Sequence, residues 1–300
     1  MRPTDAMAHS NRPQSFSCKL RDYYTLTKPE VNLLILMTTS AGYYLAAPER
    51  FHWLGLANTL IGTLLVASGT ATLNQYMERA HDANMRRTSN RPLAAGRLSS
   101  AEALLFGLLL SLAGGIYLAW AVNLLASALA VSTLLAYLLV YTPLKRRTHL
   151  CTLLGAIPGA MPTLIGWAGS GRGLNREAWF LFAVLFLWQF PHFLAIALMY
   201  KEDYARAGFK MLPDFDREGR FTKAEILAFT VVLVITTMLP VAGRTGSSLY
   251  LLFAALAGIF FLYYGARLAA TSSRIAAGRL VHASVIYLPL VLAAMMISKS

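Results

Sequence analysis

The sequence predicts an all-α, polytopic membrane protein, and three observations carry that prediction. Only 14% of the 300 residues are charged while 56% are hydrophobic, whereas a soluble chain carries about 25% charged residues. Nine apolar runs each lie near the roughly 17–25 residues that a helix needs to cross a bilayer. Finally, 22 of the 27 basic residues fall in alternate connecting segments, leaving only Arg50, Arg172, Arg176, Arg244 and Lys299 on the opposite side. That asymmetry is the positive-inside rule, and it places the N-terminus in the cytoplasm and the C-terminus outside. It also accounts for the net charge of +13, so the basic balance calls for no nucleic-acid partner.

Taken in order, residues 1–30 are polar, carry Arg2, Arg12, Lys19, Arg21 and Lys28, and lack the apolar core of a secretory signal. They read as a cytoplasmic tail. The first run, 31–47, is short and bracketed by Lys28-Pro29-Glu30 and Pro48-Glu49-Arg50, so tilt or snorkelling at its ends must extend it. The second, 53–73, leads into the most polar stretch of the chain, 74–98. Runs 101–120 and 122–141 are separated only by Ala121, and their combined length of about 40 residues is twice one span, which predicts a tight helical hairpin. Runs 150–169, 178–199, 224–243, 247–267 and 280–298 complete a nine-helix unit over 31–300. The long polar segments 74–100 and 200–223 follow the second and sixth runs. The first four spans and the next four therefore read as two repeats of a four-helix unit, an arrangement that commonly puts a site at the repeat interface. Cys18 and Cys151 are too few and too scattered for a disulfide framework or a metal motif.

The polar stretch carries the chemistry. Within NQYMERAHDANMRRTSNRPLAAGRL, Asn74, Glu78 and Asp82 stand four residues apart. On a helix each such step drifts by about 40°, so the three share one face. Hard oxygen groups stacked in this way suit Mg²⁺, which is usually bound together with substrate phosphates. Arg86, Arg87 and Arg91 follow at once, and their planar forks match phosphate oxygens. A magnesium–diphosphate site at a membrane surface is the reading these residues support.

The segment 200–223 offers acids beside bases again, with Glu202 and Asp203 followed by Arg206 and Lys210. A solvated loop would look similar, but a metal-bridged diphosphate needs acids from more than one direction, and two facing segments supply them. Inside the sixth run lie Trp188, Gln189, Pro191 and His192. Intramembrane polar groups are costly unless they face a partner or a cavity, and Pro191 removes a helical hydrogen bond. His192 is either a ligand to a substrate's metal centre or a residue bonded to a neighbouring helix.

Several runs, in order, carry a family resemblance. Asn74, Glu78 and Asp82 follow an Asn/acid/acid spacing. Asp82, Met85, Arg87, Thr88, Arg91, Pro92 and Leu93 match D-x-x-M-x-R-T-x-x-R-P-L. Tyr141, Thr142, Lys145, Arg146 and Thr148 match Y-T-x-x-K-R-x-T, and Trp188, Gln189, Pro191 and His192 match W-Q-x-P-H. Asp203, Tyr204, Ala207, Gly208, Met211, Leu212 and Pro213 match D-Y-x-x-A-G-x-x-M-L-P. From about Tyr24 to the last run, the chain resembles the protoheme IX farnesyltransferase (heme O synthase) branch of the UbiA-type intramembrane prenyltransferases.

The resemblance implies a UbiA-type bundle in the cell inner membrane that joins farnesyl diphosphate to heme b with Mg²⁺ as cofactor. Membrane lipid surrounds it, and a heme A synthase is the implied recipient of the product. It assigns Asn74, Glu78, Asp82 and Asp203 to the metal and to catalysis. Arg87, Arg91, Lys145, Arg146 and Lys201 fall to the diphosphate, and His192 to the heme. Two departures stand out: Glu78 replaces the usual Asp, and Ala207 stands where the wider superfamily's D-x-x-x-D would place a second aspartate, with Glu202 as the only nearby substitute.

Plainer roles remain open for other residues. Arg86, Arg97 and Arg147 suit anionic headgroups, and Gly155-x3-Gly159 suits close helix packing. His81, His149 and His282 are interface histidines that could also touch heme propionates. Two other functions compete: prenylation of a quinone precursor such as 4-hydroxybenzoate, and transport of an anionic solute. A transporter would carry its ionisable groups nearer mid-membrane, while here they cluster at one surface.

Overall fold

The computed structural model describes residues 16–47, 51–216, 218–239 and 248–299. The first 15 residues, Arg50, Arg244, the 240–243 end of the seventh expected run and the chain's last residue lie outside the described residues. Among those described, the chain is helical and without strands.

The order is α1 (Phe16–Leu26), α2 (Pro29–Ala46), α3 (Trp53–Asp82), α4 (Ser100–Ala121) and α5 (Leu124–Leu144), then α6 (Cys151–Gly169) and α7 (Arg176–Met199). Two short helices follow, α8 (Lys201–Arg206) and α9 (Leu212–Phe215), and the chain closes with α10 (Arg220–Met238), α11 (Ser248–Thr271) and α12 (Arg274–Ile297).

Among the described residues, eight helices are long and apolar enough to cross a membrane, α3 to α7 and α10 to α12. The first of the nine expected spans is absent from that set. At 18 residues α2 is short, and it opens on Pro29, Glu30 and Asn32 before carrying Thr38, Thr39 and Ser40. It is still packed inside the bundle against α3 and α6. There Asn32 is buried and satisfied, its Nδ2 donating to Ser68 Oγ at 2.9 Å and to the Thr27 carbonyl at 2.9 Å.

Part of the expected tail is helical. Residues 16–26 form α1, whose last residue, Leu26, is buried and accepts a hydrogen bond from Gln75 Nε2 at 2.9 Å. Arg97 ties α1 down as well, its Nε donating to both oxygens of Asp22 at 3.0 and 3.1 Å.

The expected hairpin is present. α4 and α5 are separated by Val122 and Asn123, and Asn123 Oδ1 caps α5 by accepting from Ala126 N at 2.8 Å. The outer faces of α4 and α5 expose Leu105, Leu108, Leu109, Leu112, Ile116 and Leu124, as lipid-facing positions should.

The inner elements need small residues. Gly166 of α6 lies so close to the Thr39 carbonyl of α2 that a Cβ there would overlap it, and a Cβ on Gly159 would overlap the Gln189 amide. The Gly155-x3-Gly159 stripe is therefore a packing seam. Gln189 is satisfied within that seam, donating to the Ala156 carbonyl at 2.9 Å.

Candidate active site

At about 1.5 Å per residue, the 30 residues of α3 exceed a bilayer core of roughly 30 Å. Its last turns carry Asn74, Glu78 and Asp82 on one face, as the four-residue spacing requires, and all three are buried. Carboxylates withdrawn from water need cations, and each finds one. Lys145 Nζ lies 2.9 Å from Glu78 Oε1, and Arg91 Nη1 lies 2.7 Å from Asp82 Oδ2. Lys28 Nζ donates to Asn74 Oδ1 at 2.9 Å, and Asn74 Nδ2 donates to Thr142 Oγ1 at 3.2 Å.

Three local devices deliver these cations. The last turns of α5 widen into a π-helix, Ala136–Tyr141, a feature frequent at functional sites. The widening lets the Thr142 hydroxyl donate to the Tyr137 carbonyl at 2.9 Å, and it sets Lys145 Nζ 4.4 Å from the centre of the Tyr141 ring. Beyond α3, the Thr88 hydroxyl donates to the Asp82 carbonyl at 2.9 Å, which folds the chain back so that Arg91 meets Asp82.

Lys28 is held by backbone. It sits at φ 51°, ψ 64°, immediately before Pro29, a left-handed conformation that costs a non-glycine about 1–2 kcal/mol and persists only where its surroundings enforce it. Burial, the neighbouring Arg91 and the Lys145 charge pull its ammonium down to about 7, against the opposing pull of Glu78 and Asp82. Sequence reasoning missed this residue's role. A lysine beside an apolar run looks like a topology determinant, and only the Lys-Pro step hints at a constrained backbone.

The two polar segments meet at this end of the bundle. Arg146 Nη1 donates to His81 Nε2 at 3.1 Å, so Nε2 is the acceptor and Nδ1–H donates to the Ala207 carbonyl at 3.1 Å. Arg87 donates to the Tyr204 hydroxyl at 3.4 Å and lies over the Tyr200 ring at 5.1 Å. Met85, Ala207 and Phe209 are buried together beneath them. Lys210 N donates to the Lys145 carbonyl at 2.7 Å. Arg87, Arg91, Lys145 and Arg146 thus all stand at this end of the bundle, where Ala207 contributes a carbonyl to His81.

Other expected residues lie elsewhere. Asp203 is buried but pairs with Arg206 on its own short helix. Among the described residues no three His, Cys, Asp or Glu side chains converge to hold a metal, so Asp203 does not close on Glu78 and Asp82. Lys201 lines a cavity with Lys223 and Arg274. His192 stacks on Trp188, with ring centres 4.7 Å apart, and its Nδ1 is 2.7 Å from Ser284 Oγ on α12. That contact is the neighbouring-helix bond that sequence reasoning held as the alternative. Outside the site, His282 Nδ1 is bonded to the Gly278 carbonyl at 2.7 Å, and His149 packs against Phe215.

The donor set fits Mg²⁺. One or two carboxylates plus substrate phosphates are its usual protein ligands. Here Glu78, Asp82 and the Asn74 amide oxygen share a face, and three cations, Lys145, Arg91 and Lys28, stand beside them.

Comparison with known proteins gives concordant results. Residues 35–294 match the UbiA prenyltransferase family. The chain is 47% identical over 289 residues to the protoheme IX farnesyltransferase of Solibacter usitatus, covering 93% of this chain and 99% of that one. It is 40% identical to the enzyme of that name from Koribacter versatilis, with 94% of each chain covered. Among solved structures, a digeranylgeranylglyceryl phosphate synthase superposes with a TM-score of 0.76 at 20% identity, covering 94% of this chain and 98% of that one. A UbiA homolog from Archaeoglobus fulgidus bound to DMAPP and Mg²⁺ superposes at 0.64 with 15% identity, covering 93% and 99%. At such identities the two structures speak for the fold.

Proposed function

The chain belongs to the UbiA prenyltransferase family, and we propose that it transfers the farnesyl group of farnesyl diphosphate to the 2-vinyl group of protoheme IX, giving heme O. The curated relatives that match nearly its whole length carry that activity in their name. The observation that carries the reaction class is the buried face of Asn74, Glu78 and Asp82, ringed by Lys145, Arg91 and Lys28. Fixed charge of both signs at the edge of an apolar bundle suits a substrate that is diphosphate at one end and hydrocarbon at the other.

Asn74, Glu78 and Asp82 would hold Mg²⁺, which when bound supplies charge neutralisation to the diphosphate. Lys145, Arg91 and Lys28, with Arg87 and Arg146 further out, bind its oxygens and stabilise the negative charge that grows as the allylic carbon–oxygen bond breaks. The apolar helices exclude water from the farnesyl cation. The vinyl group's terminal carbon then bonds to the farnesyl C1, which leaves a cation on the carbon next to the porphyrin. Water adds there and loses a proton, so the product carries a hydroxyethylfarnesyl chain and diphosphate is released.

Asp203 and His192 stay in this reading as secondary residues. Asp203 would reach the metal through a shift of α8, and His192 would meet the heme from α7. We place the enzyme as a multi-pass protein of the cell inner membrane, with its diphosphate site cytoplasmic and a heme A synthase receiving the product. Purified protein in detergent, given heme b, farnesyl diphosphate and Mg²⁺, should yield a heme heavier by farnesyl plus water on mass spectrometry. Absence of that product, with 4-hydroxybenzoate prenylated instead, would overturn the heme reading.

A further inference from the structure

A polar cavity of about 240 Å³ lies among the ends of α7, α10, α11 and α12. Lys201, Lys223 and Arg274 line it above a floor of Leu198 and Leu268. Two acids also line it, one still a bare negative charge held by backbone N–H groups and one paired with a cation. Asp216 Oδ2 accepts from Thr222 N at 2.7 Å at the start of α10, and Glu218 Oε2 lies 2.7 Å from Arg220 Nε. Among the described residues, Lys201, Lys223 and Arg274 form no ion pair. The cavity therefore presents surplus positive charge at the polar end of an apolar bundle.

Its position relative to the diphosphate group gives it meaning. Tyr200 is in contact with both, with Arg87 5.1 Å and Arg274 5.9 Å from the centre of its ring. On α8, Lys201 lines the cavity while Tyr204, three residues on, meets Arg87. The cavity and the diphosphate site are thus about one helical turn apart along the chain. An acceptor held by anionic groups in the cavity would lie at the same end of the bundle as the donor's diphosphate.

Resting on the acceptor named above, we propose that Lys201, Lys223 and Arg274 bind the two propionates of the porphyrin. Protoheme IX carries its propionates on one edge and its vinyl groups on the other. Charge-assisted hydrogen bonds to the propionates hold one edge at the cavity and leave the vinyl edge free to face the farnesyl donor. The cavity then selects the orientation of the acceptor, and Lys201 serves acceptor binding instead of diphosphate binding.

The test compares heme b with its dimethyl ester, in which both propionates are neutral, by Soret titration of the full-length protein in detergent. Wild type should bind the acid about tenfold or more tightly than the ester. In a Lys223→Gln/Arg274→Gln double variant that ratio should fall to near one, while the KM for farnesyl diphosphate stays at the wild-type value. Because the ratio is read within each protein, it isolates the interaction from any general loss of affinity. An unchanged ratio in the variant overturns the assignment alone. The same holds if the variant loses only a response to added phosphatidylglycerol, because the cavity is then a lipid headgroup site. A wild-type protein that binds neither porphyrin overturns the heme reading, and this assignment with it.

Discussion

Lys145 Nζ lies 2.9 Å from Glu78 Oε1, with Glu78 buried and the Lys145 side chain only 12% exposed, and the pair joins the end of α3 to the segment after α5. Removing one partner of a buried pair leaves an uncompensated charge and costs about 3–5 kcal/mol, whereas replacing both with apolar residues is often neutral. Glu78→Met should therefore lower thermal stability sharply, and the Glu78→Met/Lys145→Met double variant should recover most of the loss while remaining inactive. Thermal melts in detergent would check this. A double variant as unstable as the sum of the single variants would show that the pair does not act as a unit.

Asp82 and Glu78 should differ in tolerance. Asp82 is paired with Arg91 at 2.7 Å, while its backbone carbonyl is held by Thr88, so Asp82→Ala removes the proposed metal oxygen and the partner of Arg91 and leaves the Thr88 bond in place. Turnover should fall by more than about a hundredfold, the scale of losing a transition-state charge partner. Glu78→Asp keeps the charge on a shorter arm and gives the residue that the family resemblance implies there, so it should retain measurable turnover. Retained activity in Asp82→Ala would remove Asp82 from the metal.

Lys28 offers a separation of stability from activity. Its left-handed backbone at φ 51° is one that glycine adopts without penalty, so Lys28→Gly should melt near the wild-type temperature while losing the ammonium at Asn74. The expected result is a KM for farnesyl diphosphate raised about tenfold, the scale of one charge-assisted hydrogen bond. With its pKa pulled to about 7 by burial and by Arg91, the ammonium is charged below that pH and is lost above it. Wild-type affinity for the diphosphate should therefore weaken as pH rises through about 7 to 8, and Lys28→Gly should lack that limb. An identical pH profile in both proteins would show that Lys28 does not contact the substrate.

What the sequence made legible follows from periodicity. The four-residue spacing of Asn74, Glu78 and Asp82 is a helical statement, and α3 runs unbroken through all three. Apolar length marked the spans, although α2, with its polar first turn and Thr38, Thr39 and Ser40, falls below the mark. Contacts between distant segments left no such trace. Lys28 meeting Asn74 crosses 46 residues, and His81 meeting Ala207 crosses 126. Neither is a matter of spacing. Lys201 illustrates the converse, since a basic residue beside an acidic pair reads as part of one site while the fold also gives it a place in the lining of a cavity with Lys223 and Arg274.

Arg97 and Asp22 should prove local in effect. The guanidinium is partly exposed, and such pairs contribute about 0.2–1 kcal/mol, so Arg97→Ala should scarcely change the melting temperature. The pair nevertheless fastens α1 to the loop after α3. Hydrogen exchange should quicken in residues 16–26 and stay slow in α6 and α7. Uniform quickening across the bundle would mean that α1 is not an independent flap.

Metal removal should separate activity from folding. Without a divalent ion, Glu78 and Asp82 still have Lys145 and Arg91 within 2.9 Å, so the buried carboxylates are compensated and the bundle has no need of the ion to fold. Chelation should then abolish turnover while leaving the melting temperature nearly unchanged, in contrast to structural metal sites, where binding energy is folding energy. Returning Mg²⁺ should restore turnover. It should raise the melting temperature appreciably only when farnesyl diphosphate is also present, because ligand and metal together stabilise the native state by mass action. A large drop in melting temperature on chelation alone would place the ion among the fold's structural elements and would recast Lys145 and Arg91 as bystanders to it.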